Sequence, residues 1–422
     1  MFFHSFSVPL ILLIFSIGYL GIIFEHYIKI NKSATALLIA TITWSLYLMG
    51  SATPAEQNLN VFGHHVSDIS QIIFFLLGSM TLVELIDSHR GFKIITDVIS
   101  TSSKRSLLWI ITGIAFFLSG VLDNLTTTIL MISLLRKLIP TAKERCIFSI
   151  VVVVAANAGG AWTPIGDVTT TMLWIGGQIS SLAIMKSLFL PSLISVLIPL
   201  CYFSFSLKGK FSAKGIEEVQ TTEIGAKRVF FLGIGGLVFV PIFKHFTGLP
   251  PFMGVLLALG ILWLVTDFIH RNDDSKSHLT VSYVLHKIDH SSTIFFLGIL
   301  LSVSALQATG ILDSISAWLL SDVKSLPLIA TFLGLFSAVI DNVPLVAATM
   351  GMYPLTQFPQ DSAFWHMIAY AAGTGGSLLI IGSSSGVAMM GMEKMDFITY
   401  MKKATLPILV GYLAGMAVYL AL

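Results

Sequence analysis

Charge is what this sequence has least of. Only 11% of its 422 residues are Asp, Glu, Lys or Arg, against about 25% in a soluble domain. With 55% hydrophobic residues, most of its surface cannot face water. Cysteine is nearly absent: Cys146 and Cys201 lie far apart in or near apolar runs. That excludes a disulfide framework or a cysteine metal site, and both read as small core residues. A basic segment ahead of the first apolar run is missing, and so is a small-residue cleavage site after it. Residues 8–24 are therefore expected to be a retained helix. There is no P-loop, no metal-type Cys/His spacing and no nucleophile elbow. The expectation is a non-enzyme without a cofactor. The formal net charge of +2, with basic residues at the ends of apolar runs, excludes a nucleic-acid partner and predicts a lipid bilayer.

What is present is present twice. Phe24-Glu25-His26 recurs as Phe243-Lys244-His245, and Trp44 as Trp263. The pattern of His65, Asp68 and Ile73-Phe74-Phe75-Leu76 recurs as His286, Asp289 and Ile294-Phe295-Phe296-Leu297. Asp123-Asn124 answers Asp341-Asn342, Gly159-Gly160 answers Gly375-Gly376, and Gly166 answers Gly382. The offset stays between 216 and 221 residues. Duplicated sets of apolar helices broken by polar dipeptides mark secondary transporters.

The apolar segments of the first half fall at 8–25, 34–50, 70–88, 107–122, 125–139, 147–178 and 187–207, and the second half repeats them. The pairs flanking Asp123-Asn124 and Asp341-Asn342 are too short to span, which needs about 20 residues. They are expected to form re-entrant hairpins buried in protein. Segment 147–178 is expected to be a helix interrupted between Asn157 and Asp167, with its copy interrupted at Gly373–Gly376 and Gly382–Ser385. Stretches 89–104 and 308–324 are expected to lie along the interface. The expected fold is an all-α integral membrane protein of two inverted-topology repeats. Each has about five crossings, one re-entrant hairpin and one discontinuous helix. The repeats would occupy 1–207 and 227–422, joined by a cytoplasmic linker at 208–226. With both termini outside, only Lys186, Lys244 and Lys324 of the 24 Lys and Arg fall on the outer side, as the positive-inside rule demands.

An Asp at the centre of a membrane helix costs about 2.5–3.5 kcal/mol on insertion scales. Two of them at equivalent kinks invite a functional reading. Asp123 and Asp341 would supply charge to a cation, and Asn124 and Asn342 neutral oxygens. Capping of the following helix is the structural alternative. Around the first break, Asn157, Asp167, Thr169 and Thr170 add carboxylate, amide and hydroxyl oxygens, which suit a hard cation. Ser383 and Ser384 stand at the second break, where Ser383 replaces the Asp. Na⁺ is expected at Asp123, Asn124, Asp167, Asp341 and Asn342. No Lys or Arg falls inside an expected span, which disfavours an anionic substrate. Glu84 is a weaker candidate, Asp68 and Asp289 read as caps, and His26, His65, His89, His245 and His286 as interfacial.

Several stretches resemble the NhaD-type sodium/proton antiporters of the ion transporter superfamily. They are FEHYIKINKSATALL from Phe24, FLSGVLDNLTTTILM from Phe117, NAGGAWTPIGDVTTTMLW from Asn157, IDNVPLV from Ile340 and GTGGSLLIIGSSSG from Gly373. The resemblance covers essentially the whole chain. It implies exchange of Na⁺ or Li⁺ for H⁺ across a bacterial inner membrane. It also implies a scaffold and a moving part, often in a homodimer. Asp123, Asn124, Asn157, Asp167, Asp341 and Asn342 match the family's polar intramembrane positions. The rival readings are a superfamily carrier of arsenite, citrate or a dicarboxylate, and a membrane enzyme or structural subunit.

Overall fold

The computed structural model describes all residues except 1, 52, 97, 98, 100, 140, 212–222, 224, 272 and 273. Among the described residues the only β-structure is one isolated bridge, between Ser103 and Lys210. The first half contains α1 (Phe2–Ile23), α2 (Glu25–Ile28), α3 (Lys32–Gly50), α4 (Ala55–Ser88), α5 (Lys93–Thr96), α6 (Lys104–Ser119), α7 (Asn124–Leu138), α8 (Ala142–Ala161), α9 (Val168–Ile175) and α10 (Ser181–Ser206). The second contains α11 (Ala226–Thr247), α12 (Pro251–His270), α13 (Val281–Val284), α14 (His290–Ala308), α15 (Ile311–Asp322), α16 (Leu326–Phe336), α17 (Asn342–Met352), α18 (Ala363–Gly375), α19 (Ser384–Glu393) and α20 (Phe397–Ala421). Among the described residues, eight helices are long and apolar enough to cross a bilayer: α3, α4, α8, α10, α11, α12, α14 and α20. The chain is an all-α, multi-pass integral membrane protein.

The arms α6, α7, α16 and α17 have 16, 15, 11 and 11 residues. At about 1.5 Å per residue, none covers the roughly 30 Å of a hydrocarbon core. Helix packing is reciprocal between the halves. Helix α3 packs on α14 and α4 on α12; α7 packs on α19 and α17 on α9. The like elements α8 and α18, α4 and α14, and α10 and α20 meet each other.

Glycine sets how closely the hairpins approach. A Cβ on Gly159 of α8 would collide with the Phe116 carbonyl of α6, and one on Gly375 of α18 with the Gly334 carbonyl of α16. Ser119 Oγ donates to the Ala156 carbonyl at 2.6 Å, and Ser337 Oγ to the Ala372 carbonyl at 3.2 Å. Each hairpin is thus riveted to the broken helix of its own half. Two clasps then join the halves. The Glu393 side chain, only 2% exposed, binds Arg136 at 3.1 Å and Arg145 at 3.0 Å. Asp361 accepts from the Ser180 N–H at 2.6 Å and lies 3.6 Å from His366.

Several expectations need correction. Helix α4 begins at Ala55, well before residue 70, with Pro54 at its N-cap. Polar residues end the hydropathy signal there without ending the helix. Asp68 therefore lies inside α4, paired with His64 at 3.1 Å, rather than capping it. Asp289 does cap α14, accepting from the Ser292 N–H at 3.1 Å. Helix α8 continues through Asn157 and both glycines to Ala161, and α18 through Gly373 to Gly375. The glycines serve close packing; the interruptions are 162–167 and 376–383. In 89–104 only Lys93–Thr96 and the start of α6 are helical among the described residues, whereas α15 fills most of 308–324. Cys146 is buried but Cys201 is exposed. His89 is fully buried, its Nε2 3.0 Å from that of His270, whereas His245 and His286 are exposed. The side chain of His26 and most of the 208–226 linker lie outside the described residues.

Candidate functional site

The centre is assembled at the first interruption. Pro164 has no N–H to continue α8, and Gly166 has no Cβ, one of which would strike the Ser119 carbonyl. The freed backbone finds side-chain partners: Thr163 Oγ1 donates to the Gly120 carbonyl at 2.8 Å, and Thr171 Oγ1 to the Pro164 carbonyl at 3.1 Å. The chain restarts at Asp167, the N-cap of α9, whose Oδ1 accepts from the Thr169 N–H at 3.0 Å. Oδ2 remains for other donors and takes two amides. Asn124 Nδ2 donates to it at 3.0 Å, and Asn342 Nδ2 at 3.4 Å. These asparagines begin the returning arms of the two hairpins.

The network continues through Asn157. Its Oδ1 accepts from Asn124 Nδ2 at 3.0 Å. Its Nδ2 donates to Ser377 Oγ and Ser383 Oγ, both at 2.9 Å. Asn124, Asn157, Asp167, Asn342, Ser377 and Ser383 are all buried, Asp167 to 2% exposure. No Lys, Arg or His forms an ion pair with Asp167 among the described residues. A carboxylate buried without an ion-pair partner is costly to hold as a bare anion.

The two expected aspartates sit beside this centre, not in its hydrogen-bond network. Asp123 caps α7: Oδ1 accepts from the Thr126 N–H at 2.8 Å and Oδ2 from Thr126 Oγ1 at 2.6 Å. Asp341 caps α17 through the Val343 N–H at 3.2 Å, and its Oδ2 lies 3.7 Å from Lys32 Nζ. Capping and site proximity coincide, with the asparagines turned inward. Asp123 borders a void of about 20 Å³ walled by Phe75, Leu76 and Leu237. Asp341 borders a cavity of about 600 Å³ that also exposes Glu25, Lys29, Lys32, Ser383 and Ser384.

The remaining candidates divide. Thr169 contributes its N–H, while Thr170 Oγ1 turns back to the Asp167 carbonyl at 2.9 Å. Ser383 joins the network and caps α19 through the Gly386 N–H at 3.2 Å; Ser384 faces the cavity. Glu84 pairs with Lys287 at 3.9 Å, away from the network. Sequence reasoning missed Ser377, Ser119, Ser337 and Lys32. Ser119 and Ser337 carried a usable signal, since they stand four residues before the two aspartates. Ser377 did not, because its counterpart is Ala161.

Short hairpins meeting two interrupted helices around a buried polar centre define a membrane ion transporter. A family model described as "Citrate transporter" (CitMHS) matches residues 10–367. Sodium/proton antiporter 1 of Arabidopsis thaliana is 53% identical over 97% of this chain and 71% of its own length. Sodium/proton antiporter 2 of the same plant is 50% identical over 97% of this chain and 98% of its own. The Na⁺/H⁺ antiporter NhaD of Vibrio cholerae is 31% identical over 97% of this chain and 91% of its own. The chain belongs to the CitMHS family, and within it to the NhaD-type sodium/proton antiporters.

Proposed function

We propose that this protein exchanges Na⁺ for H⁺ by alternating access, with Li⁺ as a second accepted cation. The observation that carries the reading is the buried Asp167 carboxylate held by neutral amides of both hairpins. Burial penalises the bare anion, so a proton and a metal cation compete for one position. Binding one expels the other, which couples their opposite movements. Asn124, Asn157, Thr169, Asn342 and Ser383 would position the oxygens around the ion, with Asp123, Thr170, Asp341 and Ser384 at its margins. The NhaD relatives support Na⁺ and H⁺ as the substrates.

In this reading residues 1–207 and 227–422 are inverted repeats joined by 208–226, supported by the reciprocal packing of α3 on α14 and α4 on α12. Both termini face outside, the cavity beside Asp341 opens to the cytoplasm, and the protein works in a bacterial inner membrane as a homodimer. The half-helix starts at Asn124, Val168, Asn342 and Ser384 turn their dipoles on the centre. The description of the family model favours a second reading, a carrier of citrate or a similar anion. The absence of a basic group on Asp167 among the described residues argues for the cation.

The test is dequenching of a pH-sensitive dye in everted vesicles, adding Na⁺, Li⁺, K⁺ and citrate in turn. Na⁺ and Li⁺ are expected to release protons in the wild type and not in Asp167→Asn. A citrate response with no Na⁺ response would reverse the assignment.

A further inference from the structure

We propose that Lys32 is a tethered competitor for Asp341, which an entering Na⁺ must displace before it reaches the centre. The inference rests on the exchange reading above and adds a residue that sets apparent cation affinity. Lys32 is the first residue of α3, and three contacts fix its position. Its N–H donates to Glu25 Oε1 at 3.2 Å. Asn31 caps the helix through the Ser33 N–H at 2.8 Å, and Ser33 Oγ donates to the Ser291 carbonyl of α14 at 2.7 Å. The ammonium then reaches 3.7 Å from Asp341 Oδ2 and lies 4.3 Å from the centre of the Phe295 ring. Its aim at the second hairpin tip is therefore built in rather than adventitious.

The pair is also placed to be broken. The side chains of Lys32 and Asp341 are 25% and 16% exposed, and both line the 600 Å³ cavity together with Ser383 and Ser384. A partly exposed pair is weak enough for a dissolved cation to replace the ammonium, whereas a dry one is not. Among the described residues the first half shows no equivalent. Asp123 meets no basic group in its small void, and the position 219 residues after Lys32 is Pro251. Lys32 joins α3, which packs with α1 and α14, to the start of α17. While it holds Asp341 it also restrains the hairpin, so the tip is released when a cation takes its place.

The test measures the half-saturating Na⁺ concentration for proton release in everted vesicles. K32M and K32Q are expected to lower it about fivefold, the weight of one partly exposed ion pair. K32R, which keeps the charge within reach, should stay near wild type. K29M removes a second charge from the same cavity without touching Asp341, and separates displacement from a general change in potential. Unchanged half-saturation in both K32M and K32Q, or an equal fall in K29M, overturns the competitor role while exchange itself stands. Absence of Na⁺-driven proton release in the wild type overturns both readings.

Discussion

The tips of the two hairpins carry the same dipeptide in opposite surroundings. At the first, Asp123 is tied to Thr126 by two hydrogen bonds and faces a void of about 20 Å³. At the second, Asp341 makes one backbone contact, meets Lys32 and faces about 600 Å³. The residue two after Asn124 is Thr126, which completes that cap; the residue two after Asn342 is Pro344. The next pair, Thr127 and Thr128, becomes Leu345 and Val346. The asparagines, in contrast, do the same thing in both halves, donating to Asp167 Oδ2. The two tips thus share their inward-facing amides, while their carboxylates differ in partner and in the space beside them.

The largest expected effect removes what the tips share. Gly159→Ala and Gly375→Ala each put a Cβ into a backbone carbonyl of the adjoining arm, so both should abolish the folded, monodisperse protein on size exclusion. Gly113→Ala, with nothing within 4 Å of the added carbon, should not. Survival of one but not the other glycine variant would show that only one hairpin is riveted. Asp341→Asn should reduce exchange at least tenfold more than Asp123→Asn, measured as initial rate in vesicles; equal losses would erase the distinction drawn between the tips. Asn124→Ala and Asn342→Ala each remove one amide from Asp167 and should weaken Na⁺ by about tenfold, the size of a hydrogen bond to a charged group. Thr126→Ala should have the smallest effect. It removes one hydrogen-bond partner of Asp123 while leaving the Thr126 N–H cap bond, costs about 1 kcal/mol of stability and leaves half-saturating Na⁺ unchanged.

Much of this was legible before any coordinates, for identifiable reasons. The repeat aligned Asp123-Asn124 with Asp341-Asn342, and apolar runs on either side were too short to span. Asn157 and Asp167 stood out because polar side chains at a proline-containing interruption are costly in lipid unless buried together. Which member of each dipeptide turns inward was not legible, since Asp and Asn are both good N-caps and only the packed hairpin decides. Lys32 is expected in a cytoplasmic segment ahead of the second apolar run and begins α3; its contact with Asp341 joins residues more than 300 apart. The glycines at 159 and 160 read as breakers because propensity alone says so; both stay helical, Gly159 packed against Phe116 and Gly160 against Gly166. The early start of α4 was hidden by the opposite cause, polar residues in a helix that runs on beyond the apolar stretch.

In the proposed exchange, one buried carboxylate trades a proton for Na⁺. Proton release on Na⁺ binding tests it most directly, using calorimetry of the purified protein in buffers of different ionisation enthalpy. The wild type should give a buffer-dependent heat, reporting protons leaving as Na⁺ enters, and Asp167→Asn should not. Na⁺ binding with no proton release, or release that persists undiminished in Asp167→Asn, would contradict it.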